Sequence, residues 1–138
     1  MSGKTIKLTI DDPREKILVS RCLMGIPCRY HGRFIEYSKR IKKMSDSGRY
    51  ILFNACPEVD GGLPTPRPPA RVVGDRVIEK GGKDVTENYN RGARIALDIC
   101  KREGIRKAYL LKGSPSCGRG YGITANLLEA NGIRVVGV

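Results

Sequence analysis

The sequence predicts an α/β fold: a mostly parallel sheet with helices on both faces and a small β-hairpin insertion, together a single Rossmann-like domain. Three observations support this. Strand-length apolar runs alternate with longer helical stretches, the order that a parallel sheet with crossover helices produces. The runs themselves (KILVS, YILFN, KAYLLK, IRVVGV) are mainly apolar rather than alternating, as expected of strands covered on both faces. And 138 residues is a length that suits one domain, with no repeat, low-complexity tract or linker to divide it. Residues 1–15 read as a short N-terminal extension.

Taken in order, residues 16–20 form the first strand, bounded by charge. The segment RCLMGIPCRYHGR follows as a loop broken by Gly25, Pro27 and Gly32. Residues 36–47 are polar with spaced Ile41 and Met44, an exposed helix that stops at Gly48. YILFN is the second core strand. CPEVDGGLPTPRPPAR carries prolines at 64, 66, 68 and 69; each fixes φ and removes a donor, so the segment reads as a stiff, extended loop. ARVVGDRVIE predicts a hairpin turning at Gly74-Asp75. Residues 84–103 give the clearest helix. Asp84 and Glu87 resemble a capping box, Tyr89, Ala93, Ala96, Leu97 and Cys100 share one face, and Gly104 supplies the stop. KAYLLK is the next strand, GSPSCGRG a loop, ITANLLEAN a short helix and IRVVGV the last strand.

Composition limits the function classes. The formal charge is +12, a field that attracts polyanions: RNA, or acidic small molecules. A Lys/Arg-rich surface of the thermophile type gives the same number. The basic runs are short (Lys39-Arg40, Lys42-Lys43) and there is no RNP-type aromatic motif. No stretch approaches a membrane span and no apolar signal core opens the chain, so a cytoplasmic location is expected. Five cysteines, an odd number, argue against a disulfide framework and for metal-binding or catalytic thiols.

Cys22, Cys56 and Cys117 each follow an apolar run, in R-C, A-C-P-E and S-P-S-C-G contexts. In parallel sheets ligands bind beyond the carboxyl ends of the strands. Three parallel neighbours would therefore bring three thiols to one edge, able to hold a metal and leave it one position short. Cys100 falls on the apolar face of the long helix and reads as core. Cys28 shares a Gly/Pro loop with Cys22 and fits a fourth ligand, a resolving thiol or packing. Soft thiolates suit zinc, copper(I) or an iron–sulfur cluster. A structural zinc site usually has a close C-x-x-C pair, which is absent here, whereas clusters accept widely separated cysteines. Spacing alone does not choose among these. Neither G-x-G-x-x-G after a strand nor a P-loop is present.

The strings SRCLMGIPCRYHG, CPEVDGGLPTPRPPAR, GKDVTENYNRGARIAL, LLKGSPSCG and GITANLLEANGI, in that order, resemble the thiouracil desulfidase family. The resemblance runs from about Lys16 to the C-terminus. It implies a [4Fe-4S] cluster on Cys22, Cys56 and Cys117, with catalytic roles for Glu58 of the C-P-E motif and for Ser114, the first serine of S-P-S-C. It implies a desulfidase acting on a thiolated uracil or nucleoside; relatives with an extra C-terminal domain resemble desulfidases of 4-thiouridine in tRNA. Two departures stand out. The usual Y-D-G reads Tyr30-His31-Gly32, and the stretch after S-P-S-C-G is short, Arg119-Gly120-Tyr121-Gly122, which would open the site.

The residues fit such chemistry. A thiocarbonyl sulfur is a soft ligand, and binding it to an open metal polarises C=S for attack by water. Glu58 lies two residues after Cys56, so it is placed to handle a proton; otherwise it is a loop carboxylate. Ser114 could orient water; otherwise it is a turn serine before Pro115. Arg67, set among prolines, could bind an anion or a base edge, or be a solvated loop charge. Ser116 and Gly118 are expected on the substrate side, and glycines at 61, 62 and 118 would let backbone approach a ligand. The rival functions are a non-catalytic iron–sulfur or zinc protein that binds RNA or senses redox state, and a sulfur carrier in tRNA thiolation.

Overall fold

The computed structural model describes residues 12–138; residues 1–11 of the expected N-terminal extension lie outside the described residues. The strand β1 (Glu15–Ser20) leads through a 3-10 turn (Arg21–Met24) and a loop to α1 (Lys39–Asp46) and β2 (Tyr50–Ala55). A one-turn helix α2 (Pro57–Asp60) precedes the hairpin β3 (Ala70–Val73) and β4 (Arg76–Glu79). Then come α3 (Thr86–Glu103), β5 (Lys107–Leu110), α4 (Ile123–Ala130) and β6 (Arg134–Gly137).

The main sheet has order β2-β1-β5-β6, and every pairing in it is parallel. β1 is central. Its Ile17, Leu18 and Val19 are all fully buried, which is why this strand reads as a continuous apolar run. Alternation then divides the core. Leu18, Ala108, Leu110 and Val135 face Ala96, Leu97 and Cys100 of α3 and Ala125 and Leu128 of α4. Ile17, Val19 and Tyr109 face the other way, toward Ile41 and Met44 of α1. Full burial of each such side chain is worth about 1.5–3 kcal/mol. Helices on both faces are therefore as expected, and so is the separate antiparallel hairpin with Val73 opposite Arg76.

Two local readings change. Residues 57–60, expected as extended loop, form a helical turn with Pro57 at its start, where a missing N–H costs nothing. The long helix begins at Thr86, not Asp84; Asp84 instead accepts the Thr86 N–H (2.9 Å) and hydroxyl (2.6 Å), satisfying one free donor of the first turn. No helix among the described residues is long and apolar enough to cross a membrane.

α2 sits hard against α3. A Cβ on Gly92 would lie 1.7 Å from the Pro57 carbonyl oxygen, and one on Gly61 would lie 2.0 Å from the Asn88 carbonyl oxygen. Both obstacles are backbone, so no rotamer change relieves them. Alanine elsewhere in a helix interior gains about 1 kcal/mol over glycine. Here the clash reverses the sign: Gly92→Ala is expected to cost about 3 kcal/mol or more, measured as a lowered denaturant midpoint at unchanged slope.

Candidate active site

β1, β2 and β5 run parallel and in register, so their carboxyl ends share one edge of the sheet. Cys22 leaves β1 in the 3-10 turn, Cys56 caps the N-terminus of α2 directly after β2, and Cys117 lies in the turn after β5. All three are buried and line one cavity of about 230 Å³, together with Cys28, Glu58, Arg67, Ser114 and Ser116. Cys100 is elsewhere, in the core between α3 and the sheet, its thiol pushed up to about 11 by burial.

Local bonds fix the turns that carry Cys56 and Cys117 and the end of β1. The Asp60 carboxylate accepts the Cys56 N–H at 3.1 Å and pairs with Arg21 at 3.0 Å; Arg21 also donates to Asn54 Oδ1 at 2.8 Å. Ser114 Oγ accepts the N–H groups of Ser116 and Cys117, each at 3.1 Å, so this serine shapes the turn that presents Cys117. Ser20 Oγ accepts the Leu111 N–H at 2.9 Å and ties the end of β1 to the chain leaving β5. Cys28 joins the wall beside Cys22 and Cys56; the Cys56 thiol lies 3.7 Å from its carbonyl oxygen.

Three of these thiols, Cys28, Cys56 and Cys117, hold their protons more tightly than a free cysteine. Hydrogen bonding with the Cys22 thiol, followed by burial, pushes Cys28 up to about 11, against an opposing bond with Cys56. Cys56 is pushed up by Cys28, by burial and by the nearby charge of Glu58. Burial pushes Cys117 up to about 11, while hydrogen bonds from Ser20 and Ser116 oppose it. Metal binding at such thiols displaces protons.

Beside the thiols runs a buried polar chain. Arg67 Nε donates to Glu58 Oε1 at 2.9 Å, and the two side chains are only 3% and 12% exposed. Glu58 Oε2 accepts from Ser116 Oγ at 2.9 Å, and Ser116 Oγ lies 3.0 Å from Ser114 Oγ and 3.7 Å from Cys117 Sγ. A buried ion pair contributes little net stability, but removing one partner costs about 3–5 kcal/mol because the other charge is stranded.

Gly118, next to Cys117, packs tightly in the short turn: a Cβ there would meet the Ser114 carbonyl oxygen at 2.6 Å and the Tyr121 ring at 2.5 Å. Gly61 and Gly62 likewise face Asn88 and Arg91 of α3. Arg67 lines the cavity, yet each of its guanidinium nitrogens already has a protein acceptor. Sequence reasoning passed over Ser20, Arg21 and Tyr30, which also line the cavity. Their position at or after the end of β1 was the signal available. Asp60 was missed because its helical turn was read as loop.

The donor set suits a cluster rather than one ion. Cys22, Cys56 and Cys117 are soft ligands from three separate loops, the widely spaced set that iron–sulfur clusters accept. The soft thiols border a space large enough for a bigger inorganic body.

Fold and site together define a parallel α/β protein with a cysteine-walled cavity at the carboxyl edge of its sheet. The chain belongs to the 2-thiouracil desulfurase family, whose model matches residues 17–137. A solved structure, the [4Fe-4S]-dependent thiouracil desulfidase TudS, is 44% identical with a TM-score of 0.80 over 90% of this chain and 91% of that one. The uncharacterized protein YbbK of Bacillus subtilis (strain 168) is 37% identical over an alignment of 144 residues, covering 87% of this chain and 93% of the relative.

Proposed function

We propose that this protein is a [4Fe-4S]-dependent desulfidase that removes sulfur from thiolated uracil, as the free base or as thiouridine in tRNA, giving uracil and hydrogen sulfide. The observation that carries this reading is the meeting of three strand-end thiols with the Glu58–Ser116–Ser114 chain in one cavity. The family and the similar desulfidase support it. Cys22, Cys56 and Cys117 would hold the cluster and leave one iron without a cysteine of this set. When bound, the cluster supplies a Lewis acid that polarises the thiocarbonyl.

The chain's own residues do the rest. The reaction replaces C=S by C=O with water and releases hydrogen sulfide, with no net oxidation. Glu58 takes a proton from water and returns it to the departing sulfur or a ring nitrogen. Ser116, between Glu58 and the Cys117 thiol, passes that proton or orients the substrate. Ser114 holds Ser116 and the Cys117 backbone in place. Pro57 and Leu111 give the cavity apolar walls that limit bulk water. Five free thiols fit the cytoplasm, where cysteines stay reduced, and the whole chain is taken as one desulfidase unit.

An anaerobic assay of 2-thiouracil, 4-thiouracil and thiolated tRNA tests the reading. Hydrogen sulfide release from at least one of the three is expected; release from none, by protein that has bound iron, would sink it. If tRNA is the substrate, the +12 charge predicts an affinity that falls steeply with salt. No tRNA binding at low salt would leave the free base.

A further inference from the structure

We propose that Arg67 is a positioning residue: it fixes the Glu58 carboxylate in the cavity wall and keeps that carboxylate from becoming a metal ligand itself. The proposal rests on the desulfidase reading and names a constraint that this reading requires. Glu58 stands two residues after Cys56, in the single turn of α2, and lines the same cavity as the thiols. Carboxylates ligate iron readily. A free Glu58 would therefore compete with substrate for the one position the cysteines leave open.

Both carboxylate oxygens are occupied. Oε1 accepts from Arg67 and Oε2 from Ser116, each at 2.9 Å. The Ser116 hydroxyl that holds Oε2 is itself 3.7 Å from Cys117 Sγ, so one hydroxyl separates the carboxylate from the thiol wall.

The arginine is held as firmly as the glutamate. One terminal nitrogen donates to the Pro64 carbonyl and to Thr65 Oγ1, both at 3.1 Å, and the other donates to the Cys28 carbonyl at 2.9 Å. Its backbone N–H donates to the Tyr30 carbonyl at 2.7 Å. A single side chain thus ties the Cys28–Tyr30 loop, the proline loop and α2 together around the cavity. No guanidinium nitrogen is left over for substrate, which separates this role from direct recognition. The planar fork matters as much as the charge, because lysine cannot donate along several fixed directions at once.

The test compares wild type, Arg67→Lys, Arg67→Gln and the double variant Glu58→Gln/Arg67→Gln after anaerobic reconstitution. The readouts are iron content, the electron paramagnetic resonance spectrum after reduction, and kcat and KM for 2-thiouracil. Arg67→Gln is expected to keep its iron and to show an altered spectrum. Its kcat should fall about 100-fold with KM little changed, as for a misplaced catalytic group. Adding Glu58→Gln should return the spectrum to the wild-type form, and Arg67→Lys should fall between wild type and Arg67→Gln. If Arg67→Gln does not fold, Arg67→Lys, which keeps the charge, carries the same comparison. An unchanged spectrum in the single variants overturns the proposal. So does a raised KM at unchanged kcat, which would make Arg67 a substrate contact. Wild-type protein that holds iron and turns over no thiolated uracil would instead sink the desulfidase reading and leave the spectral comparison standing.

Discussion

Alanine at any one of Cys22, Cys56 or Cys117 is expected to remove iron and turnover together after anaerobic reconstitution. Each thiol comes from the end of a different strand, so losing one takes away a whole side of the ligand set. Two remaining thiolates would leave a cluster with half its irons lacking a protein ligand. The wild-type protein is expected to be brown with about four irons per chain, and each variant colourless. Cys100→Ala is the control: its thiol is packed among Ala96, Leu97 and Ile105, away from the cavity, and its iron content should match wild type. Zinc in place of iron in reconstituted wild type would refute the cluster assignment.

Glu58→Gln is expected to give the second large effect, a fall in kcat of about 10²–10⁴-fold with iron retained. The amide is nearly isosteric. Its oxygen can still accept from Arg67, while its NH₂ group turns toward Ser116; the buried Arg67 charge loses its partner, so a lower stability is expected beside the kinetic effect. What disappears is the ability to take a proton. Iron content and turnover measured on one preparation separate this outcome from loss of the site. Unchanged turnover would remove Glu58 from the mechanism.

The strands were legible because burial on both faces forces unbroken apolar runs such as Ile17-Leu18-Val19. The convergence of Cys22, Cys56 and Cys117 was legible for a related reason: a parallel sheet gathers its strand ends on one edge. α2 was not legible, because four residues are too few to show a helical period. Its form depends on distant partners, the glycine of α3 against Pro57 above all. The role of Arg67 was hidden for the same cause. Its acceptors sit at positions 28, 58, 64 and 65, and only the folded paths of two loops bring them to one guanidinium. At Gly118 the sequence does not show the Tyr121 ring that packs against it, because glycine beside a cysteine suits both ligand approach and tight packing.

The strand order has a consequence for biosynthesis. β1 lies between β2 and β5, so the first two cysteines can be framed by early-made chain while the third arrives only with β5 and the turn after it. At roughly 5–20 residues per second, a ribosome needs several seconds to travel from Cys56 to Cys117. Through that interval the nascent chain exposes thiols that have no completed site. A cavity walled by all three cysteines thus exists only after β5 and the turn that carries Cys117 have joined the sheet.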